Sequence, residues 1–281
     1  MSAIRTVETR PEPAIDRPSR VGRKLWSRVW PMLAAAAIAV GVWQLVVSSG
    51  FRPTYVLPPP LTVAQELLER LQGPELWQAI ATTMRRAAAG FALSIVVGTA
   101  LGLAVARVRI LRAAVGSLIT GLQTMPSIAW FPLTILLFGF TEEAILFVVV
   151  LGAAPSIANG LISGIDDLPP QLLRAARVLG ARGVTLYTSV VMPAVLPTYL
   201  AGLKQGWAFA WRSLMAGELL VIIAKQPSLG NDLTFAREFA NAPRLIAVMI
   251  VILIIGMVVD SIFSAIANGV RRRRGLGALR L

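Results

Sequence analysis

Long apolar blocks alternate along this chain with short polar or basic segments. A helix crosses a bilayer with about 20 apolar residues, and six blocks approach that length. They lie at roughly 29–49, 87–106, 113–139, 144–164, 195–223 and 244–267. The third, in LQTMPSIAWFPLTILLFGF, is interrupted at Pro126, where the missing amide kinks or breaks a helix. The fourth contains Pro155 and Asn159, and the second carries the small residues Ala89, Gly98 and Gly102, which let helices approach closely. The pattern predicts an all-α polytopic membrane protein with six transmembrane helices. Between the first two blocks, VLPPP stops any helix. Residues 61–72, LTVAQELLERLQ, are amphipathic with Thr62 as their cap, and are expected on the membrane surface. Glu142 and Glu143 mark a short turn, and 224–243 reads as a polar loop around Pro227, Gly230 and Asn231.

The organisation that follows is a disordered tail over 1–24, a transmembrane domain over 25–270 and a basic tail over 271–281. The first tail is polar and punctuated by Pro11, Pro13 and Pro18. It does not read as a signal peptide, because the apolar run begins late and no small-residue cleavage site follows it.

Composition sharpens the class. Hydrophobic residues make up 56% and charged residues 15%, against about 25% charged in a soluble domain. Mean hydropathy is +0.71. The net charge of +13 suggests nucleic acid at first sight. The basic residues, however, flank apolar blocks instead of forming one face, so a nucleic-acid partner is not expected. Cysteine and histidine are absent, which excludes disulfides and thiolate metal sites and removes the commonest metal ligand and general base. No catalytic residue, metal or cofactor bound by this chain is expected, and enzyme readings lose most of their chemistry.

The basic residues also orient the chain. With six spans, eighteen of the 27 Lys and Arg fall on the side shared by both termini, including Arg107, Arg109, Arg112, Arg174, Arg177, Arg182 and the run at 271–274. Seven fall on the other side, among them Arg52, Arg70, Arg85, Arg86 and Arg244, while Lys204 and Arg212 lie within the fifth block. The positive-inside rule puts both termini in the cytoplasm.

The same orientation puts a structured basic segment, 168–193, in the cytoplasm between spans four and five. Its core, RAARVLGARGVTLYTSVVMP, carries three arginines and two glycines and reads as two short helices meeting at Gly180. Such a segment is either a docking element or an ordinary basic loop.

The passage resembles the EAA loop of permease subunits in bacterial ABC importers: Glu-Ala-Ala, three residues, Gly, nine residues, Ile, one residue, Leu-Pro. Arg174-Ala175-Ala176, Gly180, Val190 and Met192-Pro193 keep that spacing, with Arg174 in place of the glutamate. The resemblance extends over roughly 30–270. VLPPPLTV, MPSIAWFPLTILLFGF and LPTYLAGLKQGWAFAWRSLMAGELL are similar to segments of the nitrate, sulfonate and taurine branch. The resemblance implies a permease of the bacterial inner membrane that works as a homodimer with two cytoplasmic ATPase subunits and an extracytoplasmic solute-binding protein. It makes 168–193 the coupling loop, with Arg174, Ala175, Ala176, Gly180, Met192 and Pro193 meeting the ATPase. ATP and its magnesium would belong to the ATPases, consistent with the absence of a G-x-x-x-x-G-K-[ST] sequence here. The implied solute is a small anion, an aliphatic sulfonate before taurine or nitrate.

Ionisable residues within spans are costly and face protein or water. Lys204, Ala208 and Arg212 share roughly one helix face and would suit an anion. Alternatively, Lys204 pairs with Asp260 and Arg212 caps backbone carbonyls. Glu218 reads as a gate or packing residue and Asp260 as structural. Pro126, Ser127 and Trp130 mark the broken span, whose freed amides could meet an anion or whose kink merely aids packing. Trp207 and Trp211 lie deep enough to line the path. The rival class is an ion-coupled secondary transporter of a small organic anion, which would show internal repeats and membrane carboxylates. No clear repeat is present.

Overall fold

A computed structural model describes residues 20–273, and every regular element among them is helical. The chain divides into two compact units, 1–60 and 61–281. The first contains α1 (Arg20–Ser48), with Pro31 inside it. The Ser48 hydroxyl donates to the Gln44 carbonyl (2.8 Å) and that of Ser49 to the Val46 carbonyl (2.7 Å), closing the helix before the proline-rich turn. Residues 20–24, expected in a tail, are helical. Residues 1–19 and 274–281, which hold most of both expected tails, lie outside the described residues.

The second unit holds α2 (Pro60–Gln72), α3 (Pro74–Arg107), α4 (Arg109–Thr124), α5 (Phe131–Phe138), α6 (Glu142–Asp166), α7 (Pro170–Val178), α8 (Gly183–Leu186), α9 (Met192–Leu220), α10 (Leu229–Glu238) and α11 (Ala242–Arg273). Five helical runs are long and apolar enough to cross a membrane, or six when the bent pair around Pro126 counts as one.

Three helices form the core because glycine lets their backbones meet. A Cβ at Gly98 would lie 2.6 Å from the Ala154 carbonyl oxygen, and one at Gly102 3.0 Å from that of Ala158. These matched pairs run α3 parallel to α6. A Cβ at Gly160 would lie 2.6 Å from the Gly202 Cα, and one at Gly164 2.6 Å from Val195, so α9 runs antiparallel to α6. The alternation agrees with successive crossings. The buried centre contains Phe131, Ile145, Val148, Val149, Ile157 and Leu214.

The third span is broken as its proline demands. Gly116–Thr124 and Ser127–Phe138 meet at 100°, with a 3-10 turn over Ser127–Trp130. Two local readings differ. The amphipathic helix begins at Pro60, so Thr62 lies inside it instead of capping it. The expected polar loop at 224–243 contains α10, capped by the Ser228 hydroxyl accepting from the Asn231 amide (3.3 Å) with Asp232 in the first turn.

Candidate functional site

The loop between α6 and α9 is built from two short helices, as the arginine-rich passage suggested. After α7, the Ala181 amide donates to the Ala176 carbonyl (2.9 Å) and the Gly180 amide to that of Arg177 (3.0 Å). This is the Schellman closure, with Gly180 at φ +89°, where a β-carbon is strained. Arg174 and Ala175 are exposed, Ala176 is buried, and Met192 and Pro193 are half-buried. Beyond the turn, α8 runs into a π turn (Tyr187–Val191) and then into α9, so the second helix of the loop is the foot of the fifth span. The Arg107 guanidinium lies over the Tyr187 ring at 4.7 Å, tying that foot to the end of α3, and Arg112 pairs with Asp166. Apolar side chains nevertheless stand in the open: Val178 is 87% exposed, Leu179 86% and Val184 78%.

On α9 the proposed cationic face separates into two environments. Lys204 pairs with Asp260 (3.2 Å) and donates to the Ser264 hydroxyl (2.9 Å), the structural alternative. Arg212 is exposed, and its one contact among the described residues is the Phe209 ring, 5.9 Å away. Trp207 is buried, set edge-on to Phe91 (5.3 Å) and stacked with Trp211 (6.0 Å). It packs α9 against α3. Trp211 is half-buried beside Gly256 of α11. Trp130 joins the same cluster, so the break and the fifth span are brought together, while Pro126 is exposed and Ser127 half-buried.

Glu218 is wholly enclosed rather than set at an opening. It accepts from Arg86 Nη1 (3.0 Å), the Thr83 hydroxyl (2.9 Å) and the Gly230 amide (3.1 Å). Arg86, only 2% exposed, also donates through Nη2 to Gln226 (2.8 Å) and through Nε to Glu142 (3.3 Å). A Cβ on Gly230 would fall 2.3 Å from that of Glu218, so only glycine brings α10 this close. A second knot lies beside it: Asp232 accepts from Arg70 (2.5 Å) and from Arg244 Nε (2.8 Å). Together they clamp α2, α3, α6, α9, α10 and α11 at one end of the unit. A cavity of about 220 Å³ opens beside the second knot, lined by Arg70, Glu75, Asn231, Asp232, Phe235 and Arg244.

The sequence pattern described as "Binding-protein-dependent transport system inner membrane component" matches residues 76–272. The chain belongs to this family. It is 31% identical over 238 residues to a putative aliphatic sulfonates transport permease of Escherichia coli K12, covering 85% of this chain and 89% of that protein. It is 32% identical over 232 residues to a putative ABC transporter permease of Methanocaldococcus jannaschii, covering 81% and 86%. Among solved structures, a bacterial alginate ABC transporter in complex with its periplasmic protein superposes with a TM-score of 0.57 at 16% identity, covering 89% of this chain and 96% of that one. This last likeness is one of fold.

This binding-protein-dependent permease is therefore a multi-pass membrane subunit of an ABC importer and not itself an enzyme. The two-helix loop, the fifth span and the Arg86 network all lie inside the matched segment of the permease. Arg86, Thr83, Glu142 and Gln226 belong to no site that the sequence predicts, and Arg86 reads there only as a flanking charge immediately before the block at 87–106. An unmatched arginine at one end of a span and an unmatched Glu218 at the same end of another was the available signal.

Proposed function

We propose that this permease, with a second copy of itself, forms the translocation path of an ATP-driven importer for a small anionic solute, an aliphatic sulfonate. The observation that carries the reading is Arg212: a guanidinium exposed on a membrane span, with no acidic partner among the described residues, whereas Lys204 and Glu218 on the same helix are paired. Such a charge does not face lipid, and it attracts an anion that crosses beside it. The sulfonate relative supports the solute class, with taurine and nitrate as the nearer competitors. A solute-binding protein delivers the anion from outside, in keeping with the family's description.

Both termini and the loop 168–193 are assigned to the cytoplasm, where two ATPase subunits seat on α7. The bare Val178, Leu179 and Val184 support a partner there, since three large apolar side chains on one short loop are what a docked subunit would cover. In proteoliposomes holding the permease, the ATPase and the binding protein, labelled ethanesulfonate should enter only with ATP, and taurine or nitrate more slowly. Uptake that persists without ATP and collapses with an ionophore would replace this reading with an ion-coupled transporter.

A further inference from the structure

The exposed faces of the spans differ in kind. That of α3 shows Leu93, Val96 and Val97, and that of α11 shows Leu253, Met257 and Ile262. These faces suit lipid. The exposed face of α9 instead carries two polar residues, Gln205 and Arg212, between Ala201 and Leu219. Seven residues apart, they lie nearly in line along the helix, about 10.5 Å from one another. Gln205 is next to the midpoint of α9, and its amide has no hydrogen-bond partner among the described residues. Its neighbour Lys204 shows what a satisfied polar residue looks like here, held by Asp260 and Ser264.

A bare amide at the centre of a span and a bare guanidinium two turns along do not stand against hydrocarbon. The rest of the chain offers little to cover them: residues 17–65, which include the first span, contain no acidic side chain. A second copy across a two-fold axis would bring the same strip face to face with itself. In a dry contact the two Arg212 charges would repel at low dielectric, so the gap between the copies holds water and admits an anion. Gln205 opens onto that gap at the depth where water is scarcest.

We propose that Gln205 is a solute-contacting, specificity-determining residue of the path, the neutral mid-membrane contact that takes the anion from Arg212. This rests on the permease reading above. The chemistry fits a sulfonate: an amide donates two N–H bonds to anionic oxygens but carries no charge to trap them. Passage needs a site that attracts enough to admit the solute and little enough to release it.

The chain has no cysteine, so single cysteines can be read in the permease band, separated from the partner subunits after labelling the ATPase-coupled complex in proteoliposomes. The probe is 2-sulfonatoethyl methanethiosulfonate, a water-soluble reagent that is itself a sulfonate. Gln205→Cys and Arg212→Cys should be modified and protected by excess ethanesulfonate, while Met257→Cys should not react. Reaction at 212 but not at 205 would mean a dry contact between copies at mid-membrane and would overturn the role of Gln205, leaving the permease reading intact. Reaction at neither, in a complex that still takes up ethanesulfonate, would remove the α9 strip from the path altogether. Should Gln205→Cys fail to assemble, uptake decides. Gln205→Glu should lose more than tenfold while Gln205→Asn stays within about threefold of the unaltered protein, both with normal ATPase retention. Equal loss in the two would overturn the proposal.

Discussion

The Arg86 guanidinium donates to the Glu218 carboxylate at 3.0 Å with both side chains closed off from solvent. Removing one partner of such a pair strands a buried charge, which costs about 3–5 kcal/mol. Arg86→Gln and Glu218→Gln should each lower the melting temperature in detergent and cut membrane yield. The double Gln variant should be less destabilised than the sum of the two, because it buries no unpaired charge and keeps hydrogen-bonding groups beside Thr83 and Gly230. Additive losses would show that the two residues are not energetically coupled.

Gly202→Ala tests the helix crossing. Its new methyl would lie 2.8 Å from the Gly160 Cα, and backbone is slow to give way. The expected loss is about 1–3 kcal/mol, the range for overpacking, measured as thermal stability of the purified complex. Gly116→Ala, with nothing within 4 Å, is the control and should be nearly silent. Equal behaviour of the two would refute the close approach.

Gly180→Glu should insert into the membrane normally, because no span is altered, but retain less ATPase on pull-down and support less ATP-driven uptake. The φ of +89° strains any β-carbon there, and a carboxylate would be buried without a partner wherever the ATPase covers it. Arg174→Ala should be milder, since that position is exposed and already departs from the motif glutamate. Full ATPase retention and full uptake by Gly180→Glu would dissociate this loop from coupling.

Sidedness can be read with single cysteines. Val184 and Phe239 are 78% and 79% exposed. Val184→Cys should react with an impermeant maleimide only from the cytoplasmic side, and Phe239→Cys only from outside. Asn231 would be a poor reporter on the same loop because it is buried. Labelling of both from one side would contradict an odd number of crossings between them.

What the sequence disclosed depended on range. The spans, the break at Pro126 and the turn at Gly180 follow from local rules: runs of apolar residues, a missing amide, a residue free to take positive φ. The Lys204–Asp260 pair was within reach because both charges sit inside apolar blocks and had few other partners. The Arg86 network was not read, since Arg86, Glu142, Glu218 and Gly230 come from four separate segments and meet only when the helices assemble. Helix α10 is hard to read locally because its hydrophobic face is short and its polar cap has the composition of a loop. Gln205 stood unnoticed between Lys204 and Arg212: a neutral amide in a span attracts no attention until its face is seen to be bare.

The passage of α8 through the π turn into α9 makes Gly183–Leu220 one continuous helical run, and a single shaft behaves as a lever. It meets α6 backbone on backbone at Gly202, while Val195 seats against Gly164 on one side of that crossing and Ile157 against Gly206 on the other. From that fulcrum the arm to Gly183 is about 28 Å and the arm to Leu220 about 27 Å at 1.5 Å per residue. With arms so nearly equal, a tilt about that point would move the two ends by similar amounts in opposite senses, so the clamp on Glu218 at one end resists displacement of the loop at the other. What give the shaft has lies on the loop side of that fulcrum, at the π turn and at Pro197, where the helix lacks an amide.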